Sequence, residues 1–222
     1  MTALSRLADH LMQGEWRSPD ISVQHKPDGS PVTSVDLVLN DTVGSFLDAT
    51  WPGIWIVSEE DPATFEVPDP DHVAIVDPLD GTENFISGLP IWGISVAVWW
   101  NGRHHSSVLA FPELGLCAVT GGHEHRFRSR IVGHPSSSSM SSLADRASGP
   151  ENRILGSAAF NLFCVATGRF ASFSNRTGAH AWDILGGLNL ARERGCTVLV
   201  DDREYSGEFL DPRGKYCFEV RR

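Results

Sequence analysis

Apolar positions recur at helical spacing in some stretches of the chain and at strand spacing in others, and the switches between them predict its elements. Leu4, Leu7, Ala8, Leu11 and Met12 share one helical face, which predicts a helix over residues 3–16, with Gly14 as an earlier place to end. Residues 17–33 hold Pro19, Pro27, Asp28-Gly29 and Ser30-Pro31, the signals of a loop. Thr33 or Ser34 then caps a second helix that turns Val35, Leu39, Val43, Phe46 and Leu47 inward, before Trp51-Pro52-Gly53 closes it. Asp36 falls in its first turn, where a carboxylate suits the helix dipole by a few tenths of a kcal/mol.

Strand-like runs follow at residues 54–57, 73–76 and 91–100. Asn101-Gly102 signals a hairpin that returns through residues 106–111, with 115–120 as a further antiparallel strand. Residues 121–150 read as a flexible connection centred on Ser136-Ser137-Ser138-Ser139. Order resumes with a strand at 153–155, a helix near 158–167 and a strand at 170–173. Trp182-Asp183 opens a helix that places Ile184, Leu185, Leu188 and Ala191 on one face and ends at Gly195. Strands at 197–200 and 216–220 complete the chain. The organisation is therefore an N-terminal half, 1–120, a connection, 121–150, and a C-terminal half, 151–222.

The chemistry lies where two apolar runs stop. Residues 54–57 run into Ser58-Glu59-Glu60-Asp61, and residues 73–76 into Asp77-Pro78-Leu79-Asp80-Gly81-Thr82, read as a tight turn. If those strands neighbour each other in one sheet, Glu59, Asp77 and Asp80 converge. Carboxylates so close repel unless a cation lies among them or one keeps its proton. A hard divalent ion such as Mg²⁺ takes carboxylate, carbonyl and water oxygens. Gly156-Ser157 entering a helix also offers unpaired backbone N–H groups to an anion or hydroxyl.

Composition narrows the class. With 28 Asp and Glu against 18 Lys and Arg, net charge −10, and no basic cluster, polymeric nucleic acid is not an expected partner. An acidic protein handling an anionic substrate gains its positive charge from bound metal. Cys117, Cys164, Cys196 and Cys217 are too widely spaced for a zinc site or disulfide framework, and the histidines, His104-His105 and His123-Glu124-His125 included, read as surface imidazoles. Without a transmembrane-length apolar run or a signal-peptide core, the expectation is a cytoplasmic protein that does not engage membranes.

Together the motifs resemble the inositol monophosphatase family of Mg²⁺-dependent, lithium-sensitive phosphomonoesterases. The resemblance rests on Asp28-Gly29-Ser30-Pro31-Val32-Thr33-x-x-Asp36, Ser58-Glu59-Glu60, Asp77 to Phe85, Gly156-Ser157-Ala158-Ala159, and Trp182-Asp183-x-x-Gly186-Gly187 continuing to Gly195, all in the family's order. It implies an α/β fold, a layered αβαβα sandwich with the metal site between two sheets. Glu59, Asp77, the Leu79 carbonyl, Asp80 and Asp183 would bind two or three Mg²⁺ ions. Asp36 and Thr82, with Glu59, would serve the attacking water, and Gly81 and Thr82 amides would contact phosphate. Glu60 would lie behind the ligands, and Lys26 would anchor its loop or the phosphate. Gly156, Ser157, Ala158, Asp80 and Asp183 would border the substrate. Asp-x-Asp-Gly-Thr phosphatases of the haloacid dehalogenase type are excluded, because Asp77 and Asp80 are three residues apart.

The expected activity is hydrolysis of a small soluble phosphate ester resembling an inositol, sugar or cyclitol phosphate. The alternatives are a 3′-phosphonucleotide, bisphosphate or histidinol-phosphate phosphatase, or a member with a regulatory binding role. The segment between residues 120 and 153 is shorter than usual in the family, and the chain stops soon after the last strand, so the usual homodimer is only one option. Family members acting on inositol phosphate carry a glutamate about seven residues before the Trp-Asp aspartate. Arg176 stands at that distance here, with Asn175 an equal candidate if one residue is inserted. Either would present donors where inositol phosphatases present an acceptor.

Overall fold

The structure, a computed structural model, describes residues 2–14, 16, 20–122, 127–138 and 151–222. Helix α1 spans Ala3–Gln13, capped by the Thr2 hydroxyl and ended by Gly14 in the left-handed conformation, so Trp16 lies beyond it. The expected loop before residue 33 contains a small hairpin, β1 (Val23–His25) with β2 (Pro31–Thr33). All three β1 residues are exposed, so no apolar alternation announced this strand. Helix α2 (Ser34–Thr50) begins at Thr33, whose hydroxyl accepts from the Val35 and Asp36 amides while the Asp36 carboxylate accepts from the Thr33 amide.

The first sheet follows as β3 (Trp55–Ser58), β4 (His72–Asp80), the short helix α3 (Thr82–Ile86), β5 (Gly93–Trp100), β6 (Arg103–Phe111) and β7 (Leu116–Val119). Its strands lie in sequence order, with β3 parallel to β4 and the others antiparallel. β4 does not stop at Val76 as expected. It runs on to Asp80 through an irregularity in its pairing with β5 between Asp77 and Asp80, where Pro78 has no ladder proton to give. The two apolar faces of this sheet explain the unbroken hydrophobic runs. Ala74, Val76, Val96 and Val98 pack beneath α1 and α2, while Val73, Ile75, Ala97 and Trp99 face the opposite core.

The second sheet holds β8 (Val132–His134), β9 (Asn152–Ile154), β10 (Ser172–His180), β11 (Thr197–Val200), β12 (Arg203–Glu204) and β13 (Lys215–Arg221), in the order β12-β11-β13-β10-β8-β9. Strand β8 falls inside the stretch expected to be irregular. Residues 123–126 and 139–150 of that stretch, including His123-Glu124-His125 and Ser139, lie outside the described residues. Between the sheets lie α4 (Ala158–Ala166) and α5 (Ala181–Glu193). α5 sits flush because Gly186 and Gly187 carry no Cβ: one would approach Ser95 Oγ to 2.5 Å and the other Leu162 Cβ to 2.4 Å. The described residues thus stack helices, sheet, helices and sheet, the layered α/β architecture expected, with four of the five layers of the αβαβα sandwich among them. Among them no helix is long and apolar enough to cross a membrane.

Strand β10 extends to His180 rather than ending near 173, because its second half is polar and carries no apolar period. Two histidines also depart from expectation: His134, 6% exposed, and the side chain of His104. The His104 side chain is buried, with Nε2 2.7 Å from Ser107 Oγ and Nδ1 3.6 Å from Glu193, and burial lowers its pKa to about 4. A depressed imidazole pKa adds stability above the unfolded value near 6.5 that is lost as pH falls toward 4. His104→Phe is therefore expected to flatten the acid limb of thermal stability between pH 6.5 and 4, read by calorimetry. An unchanged limb would contradict a neutral buried His104.

Candidate metal centre

Parallel pairing of β3 with β4 brings the two acidic strand ends side by side, with Ser58 opposite Val76 and the Glu59 amide donating to the Val76 carbonyl. The first turn of α5 supplies Asp183 from the other side. Carboxylate oxygens of Glu59, Asp77 and Asp183 lie within 4.8 Å of one another. Asp80 borders the same cleft from the end of β4, outside that trio.

Each acid has one oxygen held by the protein. Asp77 Oδ1 accepts from the Leu79 amide at 3.0 Å. Asp80 Oδ2 accepts from the Ser157 hydroxyl and, at 2.7 Å, from the Ala159 amide at the start of α4. Asp183 Oδ2 accepts from the His180 amide at 2.8 Å, closing a capping box. Glu59 Oε1 receives Lys26 Nζ at 2.8 Å, and Glu60 Oε1 the same ammonium at 3.0 Å. What remains is acceptor capacity without donors. Asp77 Oδ2 is buried and has no hydrogen-bond partner, although the residue is only 1% exposed.

Burial, then the neighbouring Glu59 and Asp80 charges, raise Asp77 and Asp183 well above the ordinary carboxylate range. Burial lifts Asp80 to about 6 against the pull of its Ser157 and Ala159 donors. Such crowding is unstable as a set of free anions at neutral pH. All the donors are hard oxygens, so the set fits Mg²⁺ and not a thiolate-seeking metal.

Behind this cluster, the short helix α3 begins after Gly81, whose φ of +91° suits glycine. A Cβ there would press against the Ile91 carbonyl and Ser157 Cβ, both at 3.2 Å. Thr82 Oγ1 donates to the Leu79 carbonyl at 3.1 Å and stands 3.5 Å from Asp36 Oδ1. Asp36 is buried, its other oxygen already taken by Thr33, and burial raises its pKa. Burial also raises Glu60. For Lys26 burial acts downward, but the Glu59 and Glu60 carboxylates outweigh it and the pKa rises.

Gly156, Ser157 and Ala158 line the cleft beside Asp80, as does Asn175. Arg176 does not join them. It lies on the opposite side of the pleated strand, exposed, with Nη1 2.6 Å from Asp202 and Nη2 3.4 Å from Glu219. Among the cleft-lining residues, Asn161, His180 and Lys215 were not read as site residues from the sequence. His180 was legible only as the residue before the Trp-Asp helix, and Lys215 only through pairing of β13 with β10.

The sequence profile of the inositol monophosphatase family matches residues 2–122, more than half of the chain. The chain belongs to this family. It is 32% identical over 215 residues to an inositol-1-monophosphatase of Mesorhizobium japonicum, covering 86% of this chain and 79% of that one. It is 31% identical over 157 residues to a histidinol-phosphatase of Mycobacterium tuberculosis (64% and 59% covered), and 29% identical over 220 residues to the Nus factor SuhB of Escherichia coli (87% and 81% covered). A solved structure titled IMPase/NADP phosphatase complexed with Mg²⁺ and phosphate superposes with a TM-score of 0.76 at 19% identity, over 98% of this chain and 87% of that one, a likeness of fold. Membership in this metal-dependent inositol monophosphatase family agrees with the acidic cluster built here.

Proposed function

We propose that the protein is a Mg²⁺-dependent phosphomonoesterase acting on a small phosphate ester. The observation that carries the reading is the convergence of Glu59, Asp77 and Asp183, one carboxylate oxygen from each lying within 4.8 Å of the others, together with a buried Asp77 Oδ2 that has no hydrogen-bond partner. Glu59, Asp77, the Leu79 carbonyl, Asp80 and Asp183 would hold two or three ions. Bound there, Mg²⁺ would lower the pKa of water and offset charge on the leaving oxygen.

The chain's own groups do the rest. Thr82 Oγ1, between Asp36 Oδ1 and the Leu79 carbonyl, can turn its proton to either acceptor and use its lone pairs to orient a water. Asp36 is held still by Thr33, so Oδ1 is a fixed acceptor for that hydroxyl proton. The Gly81 and Thr82 amides border the phosphate position, and Gly156, Ser157, Ala158 and Asn175 border the leaving group. Glu60 holds Lys26, and both brace Glu59.

Thr82→Ala is expected to lower kcat about a hundredfold, the usual scale for one positioning or proton-handling group. Mg²⁺ affinity, measured by calorimetry, should stay near the wild-type value. Unchanged kcat, or loss of both together, would contradict this role.

A 29% relative named Nus factor SuhB keeps a regulatory binding role as the second reading. The substrate class is an inositol-, sugar- or cyclitol-phosphate-like ester, with histidinol phosphate and 3′-phosphonucleotides or bisphosphates as the alternatives.

A further inference from the structure

The leaving-group side of the cleft is read here on the basis of the proposed phosphatase activity. Apart from Asp80 and Asp183, its wall carries no carboxylate among the described residues. Ser136, Ser137, Ser157, Asn161 and Asn175 are neutral, and Asn161 Oδ1 is buried with no partner. Among the described residues, one cation, Lys215, lines this wall. Lys215 opens β13 directly across from His180 in the β10–β13 ladder, and it lines the cleft on both sides of Asp183, next to Asp80 and next to Glu59. Its Cβ lies against Gly178, where an added Cβ would come within 3.3 Å.

Two other cations near the site are committed elsewhere. Lys26 is bound by Glu59 and Glu60, and Arg176 is drawn to the outer face by Asp202 and Glu219. Lys215 is exposed and, among the described residues, has no carboxylate within ion-pair distance. Its charge is nevertheless felt in the cleft, where it acts to lower the pKa of both Asp183 and His180. When metal takes the charge of Glu59, Asp80 and Asp183, Asp28, at the Glu59 side, is the remaining carboxylate lining the cleft with this ammonium, and none faces it on the leaving-group side among the described residues. A polyol leaving group would leave it without an anionic partner, whereas a carboxylate or second phosphate would supply one.

We infer that Lys215 is a specificity-determining residue, and that the substrate is a phosphate ester whose leaving group carries its own anionic oxygens. A carboxylate and a second phosphate share this chemistry, and matched substrates separate them. Glycerol 2-phosphate is compared with 2-phosphoglycerate, and glucose 1-phosphate with glucose 1,6-bisphosphate, in Mg²⁺ with wild type, Lys215→Met and Lys215→Arg.

Wild type is expected to favour the anionic member of at least one pair in kcat/KM. Lys215→Met should raise KM for that member about tenfold, the scale of one charge-assisted hydrogen bond, with kcat and the neutral partner little changed. Lys215→Arg should retain most of the preference. A wild type without preference, or an equal loss on both members, would overturn the inference and leave Lys215 as a counter-charge to Asp183. If wild type releases no phosphate from any ester, the phosphatase reading fails separately. Calorimetric binding of the same pairs then decides: tighter binding of the anionic ester that Lys215→Met abolishes upholds the anion site, and equal binding overturns it.

Discussion

Asp77→Asn is expected to reduce turnover at least about a thousandfold and, in the absence of metal, to leave a folded protein with a higher melting temperature than wild type. The rate effect follows from the loss of a charged oxygen ligand, since each ~1.4 kcal/mol of transition-state stabilisation is tenfold and a Lewis acid supplies several kcal/mol. The stability effect has the opposite sign because Asp77 sits among like charges with one oxygen unpartnered. An asparagine keeps the Oδ1 acceptor for the Leu79 amide. Its Nδ2 then offers protons to the Glu59 and Asp183 carboxylates beside it. Turnover and differential scanning calorimetry in EDTA check the two halves. Retained Mg²⁺-dependent turnover would remove Asp77 from the site, and a lower melting temperature would mean that the buried acid is not under electrostatic stress.

The second large effect is a pH-dependent stabilisation by Mg²⁺. Asp77, Asp80 and Asp183 have folded-state pKa values above their unfolded values. Each therefore stabilises the metal-free fold fully below about pH 4, and that contribution is lost as pH rises through the folded pKa, about 6 for Asp80. From Asp80 alone the loss is on the order of 3 kcal/mol. His104 slopes the other way between pH 4 and 6.5 and masks part of it. The difference between melting curves in Mg²⁺ and in EDTA cancels His104 and isolates the acids. That difference should be small near pH 4.5 and grow steadily to pH 8, because metal binding requires ionised carboxylates. A pH-independent difference would place Mg²⁺ outside this cluster.

Much of this was legible in the chain itself. Two apolar runs ending in acids placed Glu59 beside Asp77, and the β3–β4 pairing realises that juxtaposition through Ser58 and Val76. Asp183 was readable from the Trp-Asp motif, although alone it looks like an ordinary helix-capping acid, a role it also fills. Asp36 shows the same doubling: it caps α2 with one oxygen and faces Thr82 with the other. Less visible were contacts made by strand pairing. A seven-residue spacing put Arg176 at the substrate position, but the register shift between Asn175 and Ala179 and the alternation of side chains leave Asn175 in the cleft and Arg176 outside. Lys215 reaches the site across a ladder from a strand 35 residues later than His180, and no local pattern encodes that. The hairpin β1–β2 and the polar half of β10 escaped for a common reason, since neither buries an alternating apolar face.

The most direct measurement is phosphate release by the purified protein from a panel of small phosphate esters, first with Mg²⁺ and then with EDTA. The panel holds inositol, sugar and aminosugar phosphates, histidinol phosphate, 2′- and 3′-nucleotides and the carboxylate-bearing esters. Turnover of at least one ester that requires Mg²⁺ and disappears with EDTA is the expected result. Release that persists in EDTA, or silence across the panel while Mg²⁺ binds, would contradict metal-dependent phosphoester hydrolysis as the protein's activity.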